Sequence, residues 1–335
     1  MLTQTQDALT RIPFYDRRRW RPPITNKGIE VPRMKHRARL STLLTLLTCG
    51  LLPGLAAAQT PFKLYISADM EGIAGVVSEQ QLGPSGFEYA RFREFMTEEV
   101  STVIETAFAA GVTEIVVSDS HGNGQNLLIE KFPKKVTVVR SWPRPLMMME
   151  GIDESFAGAI LIGYHTSTHN EHGVRAHTLS SARLADVRIN DKQVGEGEIS
   201  AAIAGHFGVP VIMVSGDDQL VKELQGSLGN VEGAVVKWAI NFHSARTLTP
   251  AEANDVIRAS TQRALSRIKS FKPYKVATPV RFDIRFKSYR QADMLSWLPI
   301  VERLDSHTIR YTAKDMPSAS KFVEFVETYD SEMDP

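Results

Sequence analysis

The sequence predicts an α/β protein: a mostly parallel sheet flanked by helices, with a smaller α+β portion at the C-terminal end. Three observations lead there. Hydrophobic residues make up 43% and charged residues 23% of the 335, an ordinary globular balance that excludes a disordered or collagen-like chain. From residue 62 to about 245, short apolar runs alternate with amphipathic stretches of helical period. Beyond about 250 the texture changes to strands that alternate apolar and charged residues, as an antiparallel strand with one wet face does.

The elements follow in order. Phe62–Ala68 (FKLYISA) is the first strand. Tyr89–Ala110 carries Phe92, Met96, Val100, Val103, Ile104 and Ala107 at helical spacing, and Gly111 closes that helix. Thr113–Ser118, Val136–Val139 and Ala159–Gly163 are short apolar runs of the buried-strand type. Leu184–Val194 reads as a hairpin turning at Asn190-Asp191, Ile199–Phe207 as a helix, and Pro210–Ser215 as another buried strand. A helix over Pro250–Lys269, strands Val280–Phe286 and His307–Thr312, and a closing helix Ser318–Tyr329 complete the chain. The expected division is therefore an α/β domain over 59–245 and a smaller α+β portion of the same unit over 246–335.

The first 58 residues read as an address. Lys35, Arg37 and Arg39 precede an apolar run from Leu40 to about Leu55, and Ala56, Ala57 and Ala58 follow. That order is a secretory signal over 34–58, cleaved after Ala58, which makes the expected product an exported, periplasmic protein. The run is too short, and too broken by Pro53 and Gly54, to span a membrane, so the mature form has no membrane partner. Residues 1–33 are Arg- and Pro-rich without apolar periodicity and read as a mis-called upstream extension, with Met34 the better start. Ten basic and three acidic residues lie within 1–58, so the remainder is mildly acidic, which argues against nucleic acid as a partner. Cys49 is the single cysteine, which excludes a disulfide framework and any Cys-rich metal site.

Chemistry collects at three strand ends. The first strand runs into Asp69 and Glu71, a second into His121, a later one into His165. In an open α/β sheet, ligands bind outside the carboxyl ends of the strands. Asp69 and Glu71 are two apart, so an extended backbone would point both carboxylates the same way. Glu196, just ahead of the Ile199 helix, is a fifth candidate. Two imidazoles and three carboxylates suit Zn²⁺, and more than four ligands with a carboxylate free to bridge suits two ions about 3.5–4 Å apart. His169 and His172 read as solvated loop residues. No G-x-S-x-G elbow presents Ser118 or Ser120 as a nucleophile beside Asp119, and neither Walker A nor G-x-G-x-x-G is present.

SADMEGIAG (67–75), SDSHGNGQNLL (118–128), ILIGYHT (160–166), INDKQVGEGE (189–198), GVPVIMVSGDD (208–218) and AKDM (313–316) together resemble the D-aminopeptidase family of zinc metallopeptidases associated with bacterial dipeptide-transport operons. The likeness runs in the same order over about 62–328. It implies two zinc ions per subunit, with Asp69 as the bridging ligand alongside Glu71, His121, His165 and Glu196. It also implies His177 as the catalytic histidine, which either stabilises the oxyanion or relays a proton. The implied activity is removal of an N-terminal D-residue from short peptides such as D-Ala-D-Ala, by a large, symmetric, ring-like homo-oligomer. Glu198, Asp217 and Asp218 are available to hold the substrate ammonium. A di-zinc hydrolase of another amide or phosphoester, a non-enzymatic exported metal-containing binding protein, and a scaffold are the alternatives.

Overall fold

The computed structural model describes residues 62–329; the extension, the signal segment and Cys49 lie outside them. The chain runs through β1 (Lys63–Ala68), α1 (Glu79–Leu82), α2 (Tyr89–Ala109), β2 (Glu114–Asp119), β3 (Val136–Val139) and β4 (Phe156–Ile162). There follow β5 (Leu184–Ile189), β6 (Lys192–Gln193), α3 (Glu196–His206), β7 (Val211–Asp217), α4 (Asp218–Leu228), β8 (Glu232–Asn241) and β9 (Ser244–Thr247). The last stretch is α5 (Pro250–Ser266), β10 (Val280–Phe286), α6 (Tyr289–Leu295), β11 (Val301–Arg303), β12 (Thr308–Ala313) and α7 (Met316–Thr328).

Seven strands form one sheet in the order β3-β2-β1-β4-β7-β8-β9, parallel except for β9 at its edge. Strand alternation feeds both of its faces. Leu64, Ile66 and Ala68 of β1 and Ile160 and Ile162 of β4 point into a core shared with α2 and α5. Tyr65 and Leu161 point the other way, into a second core with α3, α4 and α7. Burial on both faces is why these strands read as continuous apolar runs. Helix α2 ends as expected: Gly111 sits at φ 93°, and the Gly111 and Val112 N–H groups close back on Phe108 and Ala107.

The smaller sheet, β11-β12-β10-β5-β6, is antiparallel and caps the second core with Val187, Phe282 and Ile284. Its hairpin turns at Asn190 and Asp191, both at positive φ as a tight two-residue turn requires. The boundary between the sheets does not follow the expected division at 245/246. β5 and β6 join the small sheet, whereas α5 packs on the large one. Long-range pairing to β10 recruits that hairpin, and no local pattern announces it.

Several elements carry no strong sequence signal: α1, α4, α6, β9, β11 and the ten-residue β8. β8 breaks its apolar run with Lys237, whose role becomes clear at the site. Helix α3 begins at Glu196, three residues ahead of expectation, because the Glu198 carboxylate reaches back to accept the Gly195 N–H at 3.0 Å. Among the described residues no helix is long and apolar enough to cross a membrane.

Candidate metal centre

The chain builds the large sheet outward from β1 to β3, then crosses back over β1 to lay down β4. The reversal leaves a crevice between the carboxyl ends of β1 and β4. Asp69 and Glu71 follow β1, His121 follows β2, and His165 follows β4. Glu196 enters as the first residue of α3, where the helix N-terminus favours a carboxylate. His177 arrives on the loop between β4 and β5. All six line one cavity of about 320 Å³.

Asp69 and Glu71 lie past the end of β1, in a bend and turn. The turn, and not strand alternation, brings both carboxylates to His121. It is held down at Gly72, whose N–H donates to the Gly163 carbonyl at 2.7 Å. The loop after β2 is stapled by Asp119, which accepts the backbone N–H groups of Asn126 at 2.6 Å and Leu127 at 2.8 Å. Asp119 thus holds a loop and activates no serine. Ser118 and Ser120 bond one another at 2.8 Å within a buried hydroxyl network that includes Ser67 and Tyr164.

The three histidines share one design. Each ties its outer ring nitrogen to a backbone carbonyl: His121 Nε2 to Leu82 at 2.7 Å, His165 Nδ1 to Thr166 at 3.0 Å, His177 Nδ1 to Arg175 at 2.8 Å. A carbonyl only accepts, so the outer nitrogen carries a proton and the inner nitrogen, which a metal would take once it gives up its own, faces the carboxylates. His121 Nδ1 lies 2.8 Å from Glu71 Oε2 and 3.2 Å from Asp69 Oδ1. His165 Nε2 lies 3.4 Å from both Asp69 Oδ2 and Glu196 Oε1. His177 Nε2 lies 3.7 Å from Glu196 Oε1.

Two of these inner atoms, Asp69 Oδ2 and His165 Nε2, are buried without a hydrogen-bond partner among the described residues. Buried polar atoms rarely stay unpaired, so a pair facing each other is what a cation would satisfy. The donor atoms of Asp69, Glu71 and His165 fall within 4.8 Å of one another, as do those of His165, His177 and Glu196. The oxygen and imidazole donors suit zinc. The two groups overlap at His165.

A profile of the D-aminopeptidase family matches residues 62–325, a span that includes all six residues. The chain belongs to the D-aminopeptidase family. It is by that membership a peptide-bond hydrolase. A D-aminopeptidase of Bacillus subtilis (strain 168) is 36% identical over 258 residues, which is 77% of this chain and 93% of that protein. The solved structure of a zinc-dependent D-aminopeptidase from Bacillus subtilis, described as a self-compartmentalizing protease, matches with a TM-score of 0.76 at 34% identity. The match covers 81% of this chain and 100% of that one.

Without a cation, the buried groups of this D-aminopeptidase site set one another's protonation. Burial and the Glu71 carboxylate push Asp69 up to about 8. Glu71 resists the same burial because the His121 imidazolium holds it well below the usual carboxylate range. Burial alone would lower His165, but Glu196 and Asp69 raise it to about 10. His177 goes the other way: burial and the neighbouring His165 charge lower it, so its ring is neutral at pH 7.

Three expected ammonium partners are engaged elsewhere. Glu198 accepts from Gly195 N–H and Ser227 Oγ, Asp217 from the N–H groups of Leu220 and Val174, and Asp218 from that of Ala239. The cavity instead presents Glu324 and Glu327 of α7. Nothing in their local sequence marks them, because they reach the crevice only when α7 closes the second core. His169 is held to β5, its Nε2 2.8 Å from Asp186 Oδ1, whereas His172 is solvated as expected.

Lys237 also escaped the sequence reading. It is fully buried, and its ammonium donates to the carbonyls of Glu71 at 2.5 Å, Ile73 at 3.1 Å and Val76 at 2.7 Å. Burial lowers it to about 8. A lone lysine inside an apolar strand was the available signal.

Proposed function

We propose that this chain is a zinc-dependent aminopeptidase that removes an N-terminal D-residue from short peptides such as D-Ala-D-Ala. Asp69, Glu71, His121, His165 and Glu196 would hold two zinc ions per subunit, Asp69 shared between them. One observation carries the reading: three imidazoles, each fixed from behind by a carbonyl, turn their inner nitrogens to three buried carboxylates. The zinc dependence of the Bacillus subtilis relative supports the choice of ion.

Zinc, when bound, supplies Lewis acidity that polarises a carbonyl and acidifies a water. The protein supplies the rest. His177 stands on the cavity wall, neutral, with its Nδ1 proton committed to Arg175 and its Nε2 lone pair free to accept. It takes the proton released as water adds to the scissile carbonyl, then returns it to the departing amine as the C–N bond breaks. Between those events the imidazolium faces the oxyanion. Leu179 N–H donates to Glu196 Oε1 at 2.7 Å and fixes that carboxylate beside His177. Trp142, Met147 and Met148 line the same cavity and limit water.

The test is metal content together with turnover of the full mature chain on D-Ala-D-Ala, L-Ala-L-Ala and p-nitrophenyl phosphate. Two zinc ions and D-selective dipeptide cleavage are expected. Phosphatase activity, or a persistently metal-free folded protein, would overturn the reading.

The same proposal places the enzyme outside the cytoplasm, probed by N-terminal sequencing of the exported form, which should begin at Gln59. It also makes the enzyme a ring-like homo-oligomer. The self-compartmentalizing relative supports this, as do the exposed Tyr289, Trp297 and Ile300 around α6 and β11. Light scattering of the purified chain should return a multimer; a monomer at micromolar concentration would remove it.

A further inference from the structure

Residues 175–184 border two cavities. Leu179, Ser180 and Arg183 face the metal-site cavity, while Arg175, Ala176, Ser181 and Leu184 face a second one of about 500 Å³. His177 lines both. The two differ in charge. The first holds Glu324 and Glu327 beside the three carboxylates that would hold zinc, with Arg183 on its wall. The second carries Arg175, His243 and Lys287 against Glu79.

Arg175 is built in and not merely present. Its side chain is 6% exposed, one guanidinium nitrogen meets Glu79, and the plane lies 5.1 Å over the Phe242 ring. Its Nε is buried with no hydrogen-bond partner among the described residues. Its backbone is held at φ 58°, a conformation that L-residues avoid unless the surroundings impose it. A buried, underused guanidinium on a cavity wall suits a planar anion that takes two hydrogen bonds, which is what a carboxylate offers.

We propose that the second cavity is the subsite for the free C-terminal carboxylate of a short peptide, a reading that rests on the peptidase function above. A zwitterionic dipeptide then lies with its ammonium towards Glu324 and Glu327, its scissile carbonyl beside His177, and its carboxylate at Arg175 and Lys287. Arg175 and His177 are two residues apart, at most about 7 Å between Cα atoms, which matches the reach of an extended dipeptide. The pairing of an acidic and a cationic cavity across one histidine selects peptides short enough to touch both.

The experiment compares D-Ala-D-Ala with its C-terminal amide on the zinc-loaded full mature chain, reading release of the first D-Ala. A charge-assisted contact of this kind should make KM for the amide about tenfold or more higher, with kcat changed much less. Arg175→Gln and Lys287→Gln should raise KM for the free acid towards the amide's value. Lys287 is exposed at the rim, so folding of that variant does not depend on a buried guanidinium. Equal KM for acid and amide in the unmodified enzyme would overturn the subsite, as would a gap that survives both substitutions. Cleavage of neither peptide would instead sink the peptidase reading, and the subsite with it.

Discussion

The rings of His165 and His177 stack 4.0 Å apart and 7° from parallel, with the Glu196 carboxylate reached by both. Burial and the Glu196 charge act on both rings, yet the balance differs. His165 faces Asp69 as well and binds a proton tightly, whereas His177 feels the His165 charge and stays neutral. One ring is thereby suited to hold a cation and the other to move a proton.

Replacing His177 separates those roles. His177→Ala should lower kcat by roughly 10²- to 10⁴-fold, the usual share of a general acid–base, while bound zinc stays at the unmodified level. Atomic absorption alongside turnover tests this. Full activity would remove His177 from the mechanism, and loss of one zinc would make it a ligand.

Asp69→Ala should abolish turnover and lose much of the zinc, yet leave the circular dichroism spectrum intact. Asp69 is the carboxylate within reach of both His121 and His165. Retained activity would show that the two imidazole groups do not share a ligand.

Zinc affinity should rise with pH. Asp69 keeps a proton up to about pH 8 and His165 up to about pH 10, and a cation must displace both. Below neutral pH both protons are present and compete; approaching pH 8 the Asp69 proton leaves and that competition fades. Calorimetry in buffers of different ionisation enthalpy should show net proton release per zinc. Affinity independent of pH between 6 and 8 would contradict it.

Lys237→Met should destabilise the metal-free chain by roughly 3 kcal/mol or more, since three buried carbonyls lose their donor at about 1–3 kcal/mol each. Because those carbonyls lie in the turn that carries Glu71, zinc should also exchange faster with a chelator. Urea unfolding of the metal-free variant checks the first effect, chelator competition the second. Unchanged values in both would mean the clamp is incidental.

Gly72→Ala should disrupt the centre from a distance. A Cβ there would sit 2.0 Å from the Tyr164 carbonyl oxygen and 2.5 Å from the Gly163 carbonyl carbon, so the two strand ends must part. Zinc content should fall although no ligand has changed. A fully loaded Gly72→Ala enzyme would show that the crossing tolerates a methyl group.

Periodicity and motif determined much about this protein. The buried parallel strands, α2 with its Gly111 cap, the Asn190-Asp191 turn and the five metal candidates are all legible locally, because each depends on near neighbours or on a strand end. His177 was legible only through resemblance, since a loop histidine has no periodic signature. Tertiary structure alone decided the rest. The β5–β6 hairpin pairs with a strand about ninety residues later, α7 carries Glu324 and Glu327 to a cavity made by the first half of the chain, and Lys237 reaches across to the turn after β1. Those contacts are between segments far apart in sequence, and their energy comes from desolvated groups finding partners that no local window contains.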